Sequence, residues 1–370
     1  MKVCQILYSG LGGHGSVAFS LLDADEKTQW DPFMGFLGIE PLSEDYAQKC
    51  HDKKIAFRYF SAVSGKPWMT WLAIYQWLEE VRPEAVILHS PTALLPCLWY
   101  TRRFTVPLVV VEHEPNALKR SVDWGVSRLV QLLADSVVLL TPDYQKEMKQ
   151  RLGSFFQFRK NRVIPNGIDT QLFCPSVHFS DSSLNKKRVI RMGMAARFTE
   201  TKRQDVLVEM MVELNKKMPE VEWTLSLAGH GANWQSIAEL IREKELQFCI
   251  ELPGMLDSQA LSAWLQSLDV YLHASEGETL STSLLQAMAT GQPIVASDVP
   301  GISNLVGGDN ACGLLVSSQS PQEFADSVLK FFKDASLKDK IGKQGRDLVL
   351  SKYSQEKMFA AYNRLIQKHA

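Results

Sequence analysis

The chain has 370 residues, of which 45% are apolar and 22% are charged, and its formal net charge is −1. This length exceeds what one hydrophobic core usually organises, and the composition excludes a disordered chain, so two folded domains are expected. A nucleic-acid binder normally carries a clear basic excess, which this chain lacks, so nucleic acid is not expected as a partner.

The cysteines and the first residues bear on the compartment. The six cysteines lie far apart and form no C-x-x-C pair, which favours a reducing, cytoplasmic compartment and predicts no metal site. The N-terminus enters an apolar run at Val3 without the long hydrophobic region and cleavage site of a secretion signal. No apolar stretch is long enough to span a bilayer, so any membrane role is expected to be peripheral, on the inner face of the cytoplasmic membrane.

Short apolar runs alternate with segments of helical periodicity along the first half of the chain. They begin at Val3, Ala85, Pro107 and Ser136. This alternation predicts βαβ units around a parallel sheet whose strands are buried on both faces. The pattern restarts after a polar stretch, where RVIRMGMAAR, WTLSLAGHG, DVYLHAS and PIVASD are the next predicted strands.

These patterns predict an α/β protein made of two Rossmann-like, doubly wound domains. We place them at residues 1–173 and 189–353, with a linker at 174–188. Residues 354–370 have a Ser start and apolar residues spaced at three and four, which predicts a terminal amphipathic helix. Ligands bind at the carboxyl ends of the strands in open α/β sheets, so the site is expected in a central cleft that the two domains face.

The first predicted strand ends in a glycine-rich segment, in which Gly10, Gly12 and Gly15 satisfy G-x-G-x-x-G. Three interpretations are open here: a tight turn without a ligand, a dinucleotide-binding loop, or a loop whose bare backbone lets a phosphate or sugar approach a helix N-terminus. The dinucleotide interpretation needs an acidic residue after the second strand, and Glu40 is in that position. It would make the chain an NAD(P)-dependent oxidoreductase, but the second half offers an anion-binding pattern and no recognisable hydride-transfer site.

Two cations follow the first predicted strand of the second half. Arg197 and Lys202 are five residues apart where a strand passes into a helix. Both side chains can point to the carboxyl end of the sheet, where they would neutralise a pyrophosphate and its growing charge during bond cleavage. An isolated pair of this kind is more often two solvated surface charges.

The segment from Glu278 to Gln286 runs from a turn into a predicted helix that begins near Leu280 or Ser281. Ser281 suits a helix start, and the free N–H groups of the first turn would bind an anion. Glu278 would accept hydrogen bonds from sugar hydroxyls, and the amide of Gln286, about two turns along the helix, would bond ribose hydroxyls. A capping Glu and a core-facing Gln are the alternative without a ligand.

The order and spacing of these motifs resemble the retaining glycosyltransferases with the GT-B fold, specifically their fourth sequence family. The resemblance covers nearly the whole chain and implies a C-terminal helix that returns to the first domain. Its landmarks are the turn at Gly12 and Gly13, His113 after a buried strand, VIPNGID with Asn166 to Asp169, the Arg197 and Lys202 pair, AGHG at Gly229, and GQPIVASDVPGI from Gly291. In the family a second Glu follows the first after seven residues. Gln286 replaces that second Glu here, while a register that starts at Glu276 would place Leu284 there.

The resemblance implies a hexosyltransferase-type enzyme that moves a sugar from a UDP- or GDP-linked donor with retention at the anomeric carbon. No metal and no further cofactor are implied, since cations and a helix end stabilise the leaving diphosphate. The residues implied as catalytic are His113, Glu278, Arg197 and Lys202, and those implied in donor binding are Gly12, Gly13, Arg197, Lys202, Glu278, Thr279, Leu280, Ser281 and Gln286. The change to Gln286 would retune nucleotide binding, and it motivates one alternative, a GT-B-like protein that binds a nucleotide sugar without catalysis.

Aromatic and basic residues lie close together in the first half, in FRYF at Phe57, WMTW at Trp68, WYTRRF at Trp99 and FFQFRK at Phe155. Core packing explains most of them. The remainder predict a peripheral contact with an anionic membrane, near a glycan or lipid-linked acceptor such as a polyprenyl-diphosphate glycan or another precursor of a surface polysaccharide or lipopolysaccharide.

Overall fold

The chain splits into two units in the computed structural model, which describes residues 1–10, 12–64, 66–114, 116, 119–176, 189–308 and 311–368. The first unit contains Met1–Gly167 and the chain from Gln355 onward, and the second contains Ile168–Ser354. Residues 177–188 of the predicted linker lie outside the described residues.

The second unit begins at Ile168, whereas the sequence analysis placed the end of the first domain at residue 173. Side chains of the second unit bind the backbone carbonyls of this segment. Arg346 donates to Thr170 O (3.1 Å) and to Phe173 O (2.6 Å), and the Ser262 hydroxyl donates to Leu172 O (2.6 Å). These half-buried hydrogen bonds tie the segment to the second unit, and they have no signature in the sequence.

A seven-stranded parallel sheet forms the centre of the first unit. Its strands are β1 (Lys2–Tyr8), β2 (Asp31–Gly38), β3 (Ala56–Ser61), β4 (Ala85–Leu88), β5 (Leu108–Val111), β6 (Ser136–Leu139) and β7 (Asn161–Val163), in the spatial order β3-β2-β1-β4-β5-β6-β7. Its helices are α1 (Gly13–Asp23), α2 (Glu44–Asp52), α3 (Trp71–Val81), α4 (Leu94–Phe104), α5 (Ser121–Leu133) and α6 (Pro142–Leu152). Strands β4, β5 and β6 are buried along their whole length, as their apolar runs predict.

A six-stranded parallel sheet forms the centre of the second unit. Its strands are β8 (Val189–Ala195), β9 (Glu222–Ala228), β10 (Ile250–Gly254), β11 (Val270–His273), β12 (Ile294–Ser297) and β13 (Leu314–Val316), in the spatial order β10-β9-β8-β11-β12-β13. Its helices are α7 (Gln204–Lys217), α8 (Trp234–Glu243), α9 (Ser258–Gln266), α10 (Thr282–Ala289), α11 (Pro300–Val306), α12 (Pro321–Lys333) and α13 (Ala335–Lys352). The predicted α/β class with two Rossmann-like sheets is thereby confirmed.

The last helix, α14 (Gln355–Gln367), packs on the first unit, as expected. The Trp30 indole donates to Asn363 Oδ1 (3.0 Å), and its ring centroid lies 4.9 Å from that of Phe359. The Asn363 amide donates to Gln29 Oε1 (2.8 Å). These contacts bury the apolar stripe of α14 against the chain segment just before β2.

In the first sheet, β2 and β3 are added on one side of β1, and the chain then crosses to the other side with β4. The second sheet changes side in the same way between β8 and β11. Loops at the carboxyl ends of such strand pairs diverge and leave a crevice where ligands bind. In the second unit the loop after β8 carries Arg197 and Lys202, and the loop after β11 carries Glu278. The predicted site residues of this unit therefore lie at its topological switch point.

Among the described residues, no helix combines the length and the apolar composition that crossing a bilayer requires.

Candidate active site

The carboxylate of Glu278 is the centre of a polar cluster in the second unit. Its side chain is 12% exposed and lies in the loop between β11 and α10. Lys202, in the loop between β8 and α7, places Nζ against Oε1 of Glu278. His273, the last residue of β11, places Nε2 2.9 Å from the same oxygen. Oε1 thus has two partners, and in the described part of the chain no hydrogen bond to Oε2 is present.

The charges of this cluster are fixed by burial and by contact. Burial raises the pKa of Glu278, but the charge of Lys202 and the hydrogen bond from His273 outweigh it and lower the pKa to about 2. Burial lowers the pKa of His273, and Glu278 opposes this shift only in part. His273 is therefore neutral near pH 7, and Nε2 carries the hydrogen that it donates to the carboxylate. Nδ1 of His273 is buried without a hydrogen-bond partner among the residues described.

The backbone around Glu278 is held from two sides. The N–H of Glu276 donates to Thr201 O (2.9 Å), one residue before Lys202, which ties the two loops together. Gly301 lies behind the loop, and a Cβ at this position would be 2.0 Å from Glu278 O. Only glycine permits so close an approach. The carboxylate is thus positioned before any ligand arrives.

Helix α10 begins at Thr282, one residue after the later of the two starts predicted from the sequence, with Ser281 as its N-cap. The Ser281 hydroxyl oxygen accepts a hydrogen bond from the backbone N–H three residues later (3.4 Å). The remaining N–H groups of the first turn and the helix dipole favour an anion at this end. Thr279 and Leu280 are buried, while Gln286 is half-buried, and its amide makes no hydrogen bond to any described residue.

The two predicted cations differ in their surroundings. Arg197 is exposed, and its guanidinium forms no ion pair with the residues that the structure describes. Its carbonyl oxygen accepts a hydrogen bond from Gln204 Nε2 (3.1 Å), which anchors the backbone. Lys202 is 20% exposed and is already paired with Glu278. The sequence suggested two equivalent phosphate ligands, whereas the structure has one exposed cation and one that also neutralises a carboxylate.

The glycine-rich loop of the first unit packs against Tyr46. The N–H of Gly12 donates to the Tyr46 hydroxyl (3.0 Å), which donates in turn to Gly12 O (3.1 Å). A Cβ at Gly15 would be 1.9 Å from that hydroxyl oxygen, so the third glycine of the motif is required for packing. The Glu40 carboxylate lies beside Gly10, as the dinucleotide interpretation requires. Gly13 is the first residue of α1, so Gly12 and Gly13 lie at a helix N-terminus.

His113, two residues after β5, is half-buried and joined to other polar side chains. Its Nε2 is 3.0 Å from Nδ1 of His89, the first residue after β4. Burial, His89 and His14 together hold the pKa of His113 well below its usual range. Sequence reasoning missed His89 and His273, because a single His at the end of a buried strand has no spacing signature.

Two family models match the chain, one in each half. Residues 12–172 match the model described as Glycosyltransferase Family 4, and residues 189–334 match the model described as Glycosyl transferases group 1. Together the two ranges cover most of the chain, and every residue predicted in catalysis or donor binding falls within one of them.

Several characterised proteins are similar in sequence. The D-inositol 3-phosphate glycosyltransferase of Paenarthrobacter aurescens is 26% identical over 278 residues, which cover 71% of this chain and 67% of that protein. The poly(ribitol-phosphate) alpha-N-acetylglucosaminyltransferase of Staphylococcus aureus is 25% identical over 264 residues, or 70% of this chain and 50% of that protein. The lipopolysaccharide core biosynthesis mannosyltransferase LpsB of Rhizobium meliloti is 28% identical over 189 residues, or 47% and 51%. The matches span about half to two thirds of the length of these relatives.

Solved structures share the fold over the whole chain. The Anabaena protein HepE in complex with UDP-glucose has a TM-score of 0.83 at 17% identity, with 100% of both chains covered. The sucrose-phosphate synthase of Thermosynechococcus elongatus has a TM-score of 0.82 at 18% identity, with 100% of this chain and 98% of that chain covered. At these identities the likeness concerns the fold, which is that of the GT-B glycosyltransferases.

Proposed function

Because the chain belongs to the group 1 and family 4 glycosyltransferases, we propose that it moves a hexosyl group from a nucleotide-diphosphate sugar to an acceptor hydroxyl, with retention at the anomeric carbon. The observation that carries this proposal is the cluster of Lys202, Glu278 and His273 next to the capped N-terminus of α10. A nucleotide-diphosphate sugar needs a positive charge for its phosphates and a hydrogen-bond acceptor for its sugar hydroxyls. Lys202 supplies the charge, and the carboxylate of Glu278 is the hydrogen-bond acceptor. HepE, one of the structures with this fold, was solved with UDP-glucose, which supports the same class of donor.

The donor diphosphate is assigned to Arg197, Lys202 and the first turn of α10. Arg197 is exposed and can reach a ligand without losing an ion pair. Lys202 can share its charge between Glu278 and a phosphate oxygen, because an ammonium group has three hydrogens. The N–H groups of the first turn add partial positive charge without the cost of ordering a side chain. The free Oε2 of Glu278 accepts a hydrogen bond from a sugar hydroxyl.

In the proposed reaction the bond between the anomeric carbon and the phosphate oxygen breaks, and the acceptor oxygen bonds to the same face of that carbon. The acceptor proton passes to the leaving diphosphate. Glu278 does not serve as a nucleophile, because two donors bind Oε1 and lower the basicity of the carboxylate, whose pKa is about 2. Charge that develops on the leaving group is stabilised by groups already in place, and in many enzymes this electrostatic stabilisation lowers the barrier more than any other effect.

The oxidoreductase alternative has one observation in its favour, the Glu40 carboxylate beside Gly10. Against it stand two family models that both describe glycosyltransferases.

A panel of UDP-, GDP- and ADP-sugars, with NADH beside them, tests the proposal. One nucleotide sugar is expected to raise the Tm, since a ligand that binds only the folded state stabilises it, and to release its nucleotide when an acceptor is supplied. Turnover should persist in EDTA, because protein groups supply the positive charge. Stabilisation by NADH and by no nucleotide sugar would overturn the proposal. Full inhibition by EDTA that added metal reverses would overturn its metal-independent form.

Gln286→Glu is expected to lower the donor KM by about five-fold with little change in kcat. A hydrogen bond to a charged acceptor is worth about 1 kcal/mol more than one to a neutral amide, and ribose offers two hydroxyl donors. Steady-state kinetics with the donor found above measure the change. Gln259→Glu, on the exposed side of α9, is the matched control and should leave KM unchanged.

An unchanged or higher KM in Gln286→Glu would contradict a role of this position in nucleotide binding. The same variant addresses the non-catalytic alternative. A wild-type protein that binds a nucleotide sugar but releases no nucleotide from any donor, with or without Gln286→Glu, would be a binding protein and not a transferase.

We further propose that the acceptor is lipid-linked or a polysaccharide precursor and that the first unit contacts an anionic, cytoplasmic membrane surface. Packing explains several aromatic side chains of this unit, since Phe60, Trp77 and Tyr100 are buried. Trp68 is 54% exposed, and Met69, Leu72 and Trp99 are also exposed. These four residues lie on and before α3 and on α4, two helices that pack against each other, and exposed apolar side chains of this kind can insert at the headgroup level.

The double substitution Trp68→Ser and Leu72→Ser is expected to abolish co-sedimentation with vesicles that contain phosphatidylglycerol. The reason is the loss of two large apolar side chains from the proposed contact. Phe248→Ser is the matched control, because Phe248 is 83% exposed but lies in the second unit. Absence of vesicle binding by the wild-type protein at low salt, or equal loss in the control, would count against this contact.

A further inference from the structure

The first unit contains a cavity of about 350 Å³ that is lined by α5 and α6. Ser121, Trp124 and Arg128 line it from α5, and Arg151 lines it from the last turn of α6. The three residues of α5 share one helix face, because they are spaced at three, four and seven. No residue assigned to the nucleotide sugar lies in this cavity, so it is separate from the donor site.

Aromatic rings hold both guanidinium groups of the cavity in place. The guanidinium carbon of Arg151 lies 5.5 Å from the ring centroid of Trp124, which is buried. That of Arg128 lies 5.4 Å from the ring centroid of Phe155. An aromatic ring contacts the face of a guanidinium and leaves the N–H groups at its edge available for hydrogen bonds. Both arginines are therefore ordered and still able to bind a ligand.

The positive charge of the cavity is not neutralised by the parts of the chain that the structure describes. Within these parts, Arg128 and Arg151 form neither an ion pair nor a hydrogen bond. The carboxylate of Asp123 on α5 accepts from Arg120 (2.8 and 3.1 Å), and that of Glu147 on α6 accepts from a side-chain amide (3.0 Å). Two like charges that line one cavity repel each other, and an anion bound there would offset this repulsion.

Phosphate is the anion that best matches these donors. Guanidinium groups bind phosphate oxygens through pairs of N–H groups, and the hydroxyl of Ser121 can donate to a further oxygen. Three side chains that approach from two helices suit the three or more oxygens of a phosphate better than the two of a carboxylate. The dipole of α6 favours a cation at Arg151, but Arg128 lies in the middle of α5, where no helix end explains it.

Apolar side chains border the cavity on the surface of the same unit. Val122 and Leu129 each follow a cavity residue along α5, and both are exposed. Phe155, which lies against Arg128, is exposed as well. A ligand that joins a phosphate to a hydrocarbon chain can contact both the cations and these apolar groups, whereas a free phosphate contacts only the cations.

We propose that this cavity binds the phosphate of a lipid-linked acceptor, with the hydrocarbon chain of the lipid on the apolar side chains beside it. The inference rests on the proposed function, in which the acceptor is lipid-linked, and it assigns the acceptor phosphate to Arg128, Arg151 and Ser121. Trp68 and its exposed neighbours remain assigned to the bilayer surface.

Isothermal titration calorimetry of the full-length protein tests the site without an assay of transfer. Farnesyl diphosphate is the probe, since it joins a diphosphate to a short hydrocarbon chain and dissolves without a membrane. We expect Arg128→Gln combined with Arg151→Gln to weaken its binding by about 100-fold, because two charge-assisted contacts are lost. Both side chains are exposed, so the variant should fold as the wild-type protein does. Absence of binding by the wild-type protein, or equal binding by the variant, would overturn the inference.

Arg82→Gln combined with Arg103→Gln is the matched control. These two arginines of the first unit are also exposed, and both lie over the ring of Phe104 (5.1 and 5.5 Å). Arg103 differs from the cavity arginines because it is paired with Glu79 (3.7 Å). The control should bind farnesyl diphosphate as the wild-type protein does, and so should Arg197→Ala. An equal loss in the control would reduce the effect to net charge, and a loss confined to Arg197→Ala would place the probe in the donor site; either would contradict the inference.

Inorganic pyrophosphate and farnesol separate the two halves of the probe. Each is expected to bind the cavity at least about ten-fold more weakly than farnesyl diphosphate, because each makes only part of the contacts. A pyrophosphate affinity that equals that of the probe and is equally sensitive to the cavity substitutions would make the ligand a free phosphate. A farnesol affinity equal to that of the probe would make it an apolar compound. Either result would overturn the assignment to a lipid-linked phosphate.

Transfer assays distinguish the failure of this inference from the failure of the proposed function. With a lipid-linked acceptor, the cavity variant should raise the acceptor KM by at least about ten-fold and leave the donor KM unchanged. An unchanged acceptor KM would contradict the inference, while the transferase activity would stand. Binding of farnesyl diphosphate that requires both cavity arginines, in a protein that transfers no sugar, would overturn only the proposed function.

Discussion

Arg197→Ala is expected to lower kcat/KM by about 10²-fold and to leave the free energy of unfolding nearly unchanged. The guanidinium is exposed and forms no ion pair with the described residues, so its removal breaks no ion pair of the ligand-free fold.

Lys202→Met is expected to lower both kcat/KM and the free energy of unfolding. The cost in stability is about 2 kcal/mol, because the substitution leaves the buried Glu278 carboxylate without its counter-charge. Steady-state kinetics and urea unfolding measure the two effects separately.

Two exposed cations of the second unit are matched controls for this pair. Arg191 is exposed at the start of β8, and Lys244 forms an exposed ion pair with Glu209 (2.6 Å). Arg191→Ala and Lys244→Met should each change kcat/KM by less than about two-fold and stability by less than about 0.5 kcal/mol. The assignment of the diphosphate fails if Arg197→Ala and Arg191→Ala have the same kcat/KM.

The strands and the helix start were predictable because each leaves a pattern along the sequence. The residues of β6 that follow Ser136 are all apolar, and such a short apolar run bounded by turns is typical of a strand buried on both faces. Ser281 predicts the start of α10 because its hydroxyl oxygen accepts a hydrogen bond from a backbone N–H of the first turn. This interaction lies within four consecutive residues. Local causes of this kind can be identified from one sequence.

The partners of the site residues were not predictable, because they come from distant positions. Lys202 and Glu278 are 76 residues apart and meet only because β8 and β11 are neighbours in the sheet. Gln5 and His89, which are 84 residues apart, meet for the same reason across β1 and β4. Alternating strands and helices predict the sheet but do not give the order of its strands, and the strand order decides which loop residues touch.

Glu278→Gln is expected to lower kcat/KM by at least about 10²-fold, because the substitution removes the charge that holds Lys202 and the acceptor assigned to a sugar hydroxyl. It also has a pH-dependent effect on stability. The folded-state pKa of Glu278 is about 2, below the value of about 4.3 for Glu in an unfolded chain. Ionised Glu278 therefore contributes stability above about pH 4.3, and this contribution is lost as the pH falls towards 2.

Unfolding measured from pH 7 down to pH 3 should accordingly show the wild-type protein converging on Glu278→Gln as the pH falls. Glu276→Gln is the matched control, since Glu276 lies two residues upstream, is 44% exposed and pairs with Arg203 (2.8 Å). Because a half-exposed ion pair contributes little, this variant should keep kcat/KM within about three-fold and show no such convergence. The control also tests the register of the motif. If Glu276→Gln abolished transfer and Glu278→Gln did not, the carboxylate of the family motif would be Glu276, and Leu284 would take the place in α10 that is assigned here to Gln286.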